Sequence, residues 1–162
     1  MFNFLKKSVV QADNHLYAPI TGQVRSITES SDAMFSQKMM GDGFVVFPIS
    51  EKIVSPVAGK VTMIADTKHA IGLKMANNVE VLIHLGIDTV NMQGKPFNLV
   101  VKVGDVLNPG DKIGYMDLKE IAEVGLASDV MVALTNSDDK ISRLQLTAED
   151  FNAGDRVGEM FL

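Results

Sequence analysis

The chain has 162 residues, 46% of them apolar, and a formal net charge of −5. That length and apolar content suit one folded domain with a full core and argue against disorder. The negative charge argues against a nucleic-acid partner, which needs a basic face, and the lack of cysteine removes disulfides, thiolate zinc sites and cysteine nucleophiles together.

Residues 1–16 read as a flexible tail. Phe2, Phe4, Leu5, Lys6 and Lys7 are followed by polar Gln11-Ala-Asp-Asn. The start lacks the pattern of a secretory signal, and no apolar run approaches the ~20 residues of a membrane span. The chain therefore reads as a soluble cytoplasmic protein, with at most a peripheral membrane contact through the tail. A single domain is expected over 17–162. From Tyr17 onward the pattern is strand and turn. Ala18-Pro-Ile-Thr-Gly-Gln-Val recurs as Ser55-Pro-Val-Ala-Gly-Lys-Val, and Asn108-Pro-Gly-Asp-Lys-Ile-Gly-Tyr-Met recurs as Asn152-Ala-Gly-Asp-Arg-Val-Gly-Glu-Met. The two offsets differ, so the repeat is a duplicated β unit whose halves fold over one another and not a solenoid. Thirteen glycines and five prolines punctuate short apolar runs such as Phe44-Val-Val-Phe, Val100-Val-Lys-Val and Val130-Met-Val-Ala-Leu. This predicts an all-β fold, an antiparallel sandwich or barrel with one or two short helices. One helix is expected over Asp117–Gly125, with Asp117 as N-cap and Gly125 as the stop. A single turn over Ser31–Lys38 would be capped by Ser31 or Asp32.

Two of the three histidines, His69 and His84, bracket the apolar runs Ala70–Met75 and Val79–Ile83, which Ala76-Asn77-Asn78 interrupts. Asparagine-rich breaks of this kind signal a hairpin. A two-residue turn at Ala76-Asn77 puts His69 directly opposite His84, with Cβ atoms ~5 Å apart. Two imidazoles that close can share one phosphoryl group or one metal ion.

Along Val79–Gly86 the side chains alternate. Val79, Val81, Ile83 and Leu85 share the face that makes core, and Glu80, Leu82, His84 and Gly86 share the other. Gly86 can bring its carbonyl to the His84 ring. A carbonyl accepting from Nδ1–H fixes the tautomer and leaves Nε2 as a nucleophile. Asp88 at the rim can accept from a partner's arginine, and Thr67 can orient His69. Either histidine alone reads equally well as structural; the pair carries the chemical reading. Met34, Phe35, Met39 and Met40 cluster before Gly41-Asp-Gly, and methionine-rich surfaces adapt to several partners.

Gly41-Asp-Gly, Ser55-Pro-Val-Ala-Gly, Thr67-Lys-His69-Ala, Val79-Glu-Val-Leu-Ile-His84-Leu-Gly-Ile-Asp-Thr-Val90 and Val103-Gly-Asp-Val together resemble the glucose-family enzyme IIA of the bacterial phosphoenolpyruvate:sugar phosphotransferase system. The resemblance runs from about Tyr17 to the C-terminus. It implies an antiparallel β-sandwich that takes a phosphoryl group from the carrier protein HPr and passes it to a sugar-specific IIB domain. It implies phosphorylation of His84 at Nε2, a hydrogen bond from His69 to the phosphoryl oxygens, support of His69 by Thr67, and the Gly86 carbonyl on the phosphorylated ring. Asp32 and Asp88 match acidic positions where the arginine-bearing face of HPr docks. No cofactor or metal is required, although His69 and His84 could take zinc opportunistically with a partner's carboxylate. Two proteins must reach the same Nε2, so an exposed histidine inside an apolar collar of Met34, Phe35, Met39, Met40, Leu82 and Val90 is expected. Ala65, Met34, Met40 and Leu82 depart from the Phe or Val of many relatives, which bears on partner preference. Membrane IIC and IIB domains, fused in many relatives, have no counterpart here, so the chain reads as a free-standing IIA.

Two other readings compete on related β folds. A zinc peptidase would need an H-x-H pair and a third ligand, and Leu82, Gly86, Thr67 and Ile71 occupy the flanking positions. A biotinyl or lipoyl carrier would present a lysine in Met-Lys-Met at a hairpin tip, which neither Lys74-Met75 nor Met116-Asp-Leu-Lys supplies. A binding module without chemistry is a third reading, separated by whether the protein is phosphorylated.

Overall fold

The structure, a computed structural model, describes residues 9–162. In chain order it contains β1 (His15–Tyr17), β2 (Gly22–Ser26), α1 (Ala33–Ser36), β3 (Asp42–Pro48), β4 (Lys52–Val54), β5 (Gly59–Ile64), β6 (Ala70–Lys74) and β7 (Glu80–Leu85). There follow β8 (Phe97–Leu99), β9 (Val106–Leu107), β10 (Lys112–Met116), α2 (Leu118–Glu123), β11 (Val130–Leu134), α3 (Ser137–Lys140), β12 (Arg143–Leu146), β13 (Asp150–Phe151) and β14 (Arg156–Phe161). All strand pairs are antiparallel. Eight strands form one sheet in the order β13-β2-β3-β11-β7-β6-β5-β9. Two three-stranded sheets, β1-β14-β12 and β4-β10-β8, pack on its inner face. The outermost strands of the large sheet, β13 and β9, are not paired with each other, so the fold is an open sandwich and not a closed barrel.

Strand periodicity decides which face is which. Val81, Ile83 and Leu85 of β7 join Val130, Val132 and Leu134 of β11 and Ile71 and Leu73 of β6 in the main core. The opposite faces of the same strands do not end in water. Met131 and Ala133 of β11, Val45 of β3, Ile27 and Phe35 form a second, smaller apolar cluster on the outside of the sheet. The five residues of β11 are therefore buried throughout, as expected of a central strand covered on both sides.

The sequence repeats become a local two-fold arrangement. Ala18 N–H donates to the Asp155 carbonyl (2.8 Å) and Gly154 N–H to the Ala18 carbonyl (2.8 Å). Ser55 makes the same pair with Asp111 (2.8 Å) and Gly110 (2.9 Å). Tyr17 N–H donates to the Pro56 carbonyl and Val54 N–H to the Pro19 carbonyl, which joins the halves reciprocally. Both turns share one construction, repeated once more at Lys102–Asp105. An aspartate carboxylate accepts from the amide three residues earlier, in Asp105 to Lys102 (2.9 Å), Asp111 to Asn108 (2.8 Å) and Asp155 to Asn152 (2.9 Å).

Two expectations need correction. Residues 15 and 16 are not tail: β1 starts at His15, pairs with β14 and buries Leu16 completely. The Phe2, Phe4, Leu5 and lysine membrane contact lies outside the described residues. Val100–Val103 is not a strand. Val100 and Val103 are exposed, and the chain turns so that Gly104 N–H can reach the Val61 carbonyl. The helical expectations fare differently. Asp117 caps α2 through the Glu120 amide (2.9 Å), and Gly125 ends it at φ +79°. Of the two candidate caps for α1, it is Asp32 whose carboxylate accepts from the Met34 amide (2.9 Å).

Candidate active site

The hairpin of β6 and β7 has a different register from the expected one. Its loop holds three residues, Ala76–Asn78, because Met75 pairs with Val79, Asn78 takes a left-handed conformation (φ +69°) and Asn77 Oδ1 accepts from Val79 N–H. One extra loop residue shifts every pair by one. Ala70 therefore stands opposite His84, and Met131 of β11 flanks it on the other side. His69 belongs instead to the loop Asp66–His69 between β5 and β6. Ala65 N–H donates to the Ala70 carbonyl, and Lys68 sits at φ +60°. From that loop the His69 ring still reaches His84. The ring centroids are 5.1 Å apart at 78°, an edge-on contact. The two rings meet although His69 lies just outside β6: its carbonyl accepts from Leu85 N–H (2.7 Å), one residue past His84.

His84 projects from the outer face of the most central hairpin strand and is half-buried, where the sequence led us to expect an exposed ring. Phe35 packs on its other side, with centroids 5.1 Å apart. Its Nδ1 lies 2.8 Å from the Gly86 carbonyl oxygen. A carbonyl can only accept, so Nδ1 carries the proton and, in the neutral ring, Nε2 carries the free lone pair. Gly86 is held in place from several directions. Its N–H donates to the Asp129 carbonyl (2.8 Å), Ile87 N–H donates to Ala127 (3.0 Å), and the buried Thr89 hydroxyl donates to the Leu85 carbonyl (2.5 Å). Gly86 has φ +80°, and a Cβ there would come within 2.4 Å of Thr89 Cγ2. Glycine is the residue that fits.

Thr67 Oγ1 lies 2.5 Å from His69 Nδ1. With the hydroxyl donating, His69 is the tautomer that carries its proton on Nε2, a hydrogen-bond donor for an anion beside His84. Burial pushes the pKa of both rings below the usual histidine value. For His84 burial is the largest effect, the neighbouring His69 adds to it, and the Gly86 hydrogen bond with the charges of Asp32 and Asp88 opposes it. Both rings are therefore neutral near pH 7. Among the described residues no third histidine or carboxylate joins them in a metal-binding group.

Comparison with known proteins decides the family. The family described as phosphoenolpyruvate-dependent sugar phosphotransferase system, EIIA 1, matches residues 14–140. The glucose-specific EIIA component of Staphylococcus aureus (strain COL) is 41% identical over 139 residues, covering 86% of this chain and 84% of that protein. The glucose-specific EIIA component of Oceanobacillus iheyensis is 39% identical over 138 residues, covering 85% and 84%. The solved glucose permease IIA from Mycoplasma capricolum superposes with a TM-score of 0.79 at 30% identity, over 98% of both chains. The chain belongs to the EIIA family.

It is thus a glucose-family EIIA, a phosphocarrier component of sugar uptake. On this EIIA chain the expected collar divides by depth. Phe35 is 3% exposed and forms the floor beside His84. Met40 and Leu82 are half-buried against the outer cluster. Met34, Met39 and Val90 are exposed. Asp32 is half-buried and Asp88 exposed, both at the rim. The sequence reading missed Ile27, Val45, Phe47, Ile87, Met131 and Ala133, which complete the cluster. The signal for Val45, Phe47, Met131 and Ala133 was present in the uninterrupted apolar runs of β3 and β11, which need cover on both faces. It also missed Asp129, a buried carboxylate that accepts from Ser31 N–H (3.2 Å) while its carbonyl holds Gly86. Asp129 ties the Asp32 loop to the His84 loop, and nothing in its sequence setting marked it.

Proposed function

We propose that this EIIA carries its phosphoryl group on Nε2 of His84, takes it from the phosphohistidine of HPr and yields it to a sugar-specific IIB domain in the cytoplasm. The observation that carries the reading is the Gly86 carbonyl on His84 Nδ1, which leaves Nε2 as the nucleophile. In the forward step the Nε2 lone pair attacks phosphorus in line. The bond from phosphorus to the donor's ring nitrogen breaks, and its electron pair returns to that nitrogen. Such a transition state spreads negative charge over the equatorial oxygens and rewards fixed donors. His69, oriented by Thr67, supplies one through Nε2–H. The step uses imidazoles alone and needs no metal or cofactor. Asp32 and Asp88 stand at the rim, where they would meet a partner's cations without sitting against the phosphoryl group. Among the described residues no helix is long and apolar enough to cross a membrane.

The test is intact-mass analysis after incubation with phosphoenolpyruvate, enzyme I and HPr. The wild-type chain should gain one acid-labile phosphoryl group and His84→Ala none. His69→Ala should be charged and then discharge slowly to IIB. A wild-type chain left unmodified by a competent HPr would sink the proposal.

A further inference from the structure

The exposed methionines of this chain are not scattered. Met34 (47% exposed), Met39 (64%) and Met63 (41%) are the strongly exposed ones among the described residues. Met34 and Met39 lie on α1 and the turn after it, joined by the Met39 N–H bond to the Met34 carbonyl (3.1 Å). Met34 directly precedes Phe35, whose ring rests on His84. Met63 lies on β5 opposite Gly72, which in turn stands opposite Leu82. A Cβ at Gly72 would be 3.4 Å from the Met63 Cβ, so Met63 shares the outer face with Leu82. It sits two strands from β7, or ~10 Å. The remaining described methionines are shielded. Met131 is fully buried beneath the same face, Met40 is half-buried, and Met75, Met92, Met116 and Met160 are in the main core.

With no cysteine in the chain, exposed thioethers are its most readily oxidised side chains. We propose that Met34, Met39 and Met63 form an oxidation site on which a hydroperoxide acts, and that their sulfoxides weaken docking of phosphoryl donor and acceptor while leaving the His84 chemistry intact. The sulfur lone pair attacks the distal peroxide oxygen. An S–O bond forms as the O–O bond breaks, sulfur gives up two electrons, and the proton on the attacked oxygen passes to the departing oxygen, which leaves as water or an alcohol. Each sulfoxide replaces a flexible apolar group with a polar one that must be desolvated when a partner covers it. The rings of His84 and His69 and the Gly86 carbonyl lie on other elements and keep their geometry. Reduction by methionine sulfoxide reductases would reverse the change. The inference rests on the proposed use of this face by HPr.

The experiment is graded treatment of the folded chain with hydrogen peroxide, followed by peptide mapping and charging from phospho-HPr. Oxygen should appear at residues 34, 39 and 63 before residues 40, 75, 92, 116, 131 and 160. The KM for phospho-HPr should rise roughly tenfold, equivalent to ~1.4 kcal/mol of docking, while final occupancy stays at one phosphoryl group per chain. Sulfoxide reductases should restore the original KM. In a Met34→Leu, Met39→Leu, Met63→Leu chain the ratio of treated to untreated KM should be near one, whatever its starting value. An unchanged KM in the oxidised wild type, or first oxidation at the shielded methionines, overturns the inference alone. An untreated chain that HPr does not charge overturns the proposed function and the inference with it.

Discussion

At His84 two demands act on one ring. The proposed nucleophilic attack needs a neutral Nε2, and the proposed partner access needs the ring near the surface. Half-burial between Phe35 and His69 meets both, because it lowers the pKa without closing the site. The sign gives a prediction. Since both folded-state pKa values are below 6.5, the neutral nucleophile persists to lower pH than in a free imidazole, and charging should fall off only below that value. By the same linkage the two histidines favour the folded state above pH 6.5, and this contribution is lost as pH falls from there through the folded pKa values. Histidine NMR titration should give midpoints under 6.5 for both rings. In Asp32→Asn and Asp88→Asn chains the His84 midpoint should drop further, because each carboxylate raises it. Gly86→Ala is expected to cost about 1–3 kcal/mol for a side chain at a left-handed position, read by denaturant unfolding. The displaced carbonyl should also slow charging. A Gly86→Ala chain of unchanged stability and rate would show that the tight fit against Thr89 has no consequence.

At the scale of elements, most strands were legible, though Val100–Val103 was misread as one and β1 as tail, and the loops were less so. The alternation in Val79–Leu85 assigned the inner face correctly, because burial of one face makes period two a strong constraint. The register of the same hairpin was wrong by one residue. Ala76-Asn77-Asn78 fits a two-residue or a three-residue loop equally well by composition, and the left-handed Asn78 with the Asx bond from Val79 N–H to Asn77 selects the longer one. The histidine contact survived that error because a shift of one residue still leaves His69 beside β7, its carbonyl accepting from Leu85 N–H (2.7 Å) and its ring held by Thr67. Asp129 was invisible for another reason: its role depends on three segments meeting, residues 31, 86 and 129. Replacing it with alanine leaves the Ser31 amide without its carboxylate acceptor and should cost about 1–3 kcal/mol. The expected sign of a positioning role is that Asp129→Ala also slows charging at a pH where His84 is neutral, whereas Asp129→Asn, which can still accept, recovers part of the rate. Equal rates in both variants would reduce Asp129 to a structural residue.

Across the whole molecule, duplication ties the two halves of the fold to each other. The turns at Asn108–Asp111 and Asn152–Asp155 lock onto Ser55 and Ala18 by matching hydrogen bonds. They close the sandwich on the inner side of the large sheet and leave its outer face for the proposed docking. That face joins a small apolar cluster to a rim bearing Asp32 and Asp88, on a chain of net charge −5. A donor that docks through arginines should be steered to it, and the charging rate should fall as salt rises. Single-turnover charging at increasing NaCl should show that slope, and Asp88→Lys should flatten it and lower the low-salt rate. A salt-independent rate would remove the electrostatic part of the account.

The central claim is that the Gly86 carbonyl reserves Nε2 of His84 for phosphorus. Long-range 1H–15N spectra of the phosphorylated, 15N-labelled chain test it directly, since coupling to phosphorus identifies the bonded nitrogen. The account predicts coupling at His84 Nε2, with His84 Nδ1 still protonated and hydrogen-bonded. Coupling at His84 Nδ1, or at a nitrogen of His69, would contradict it.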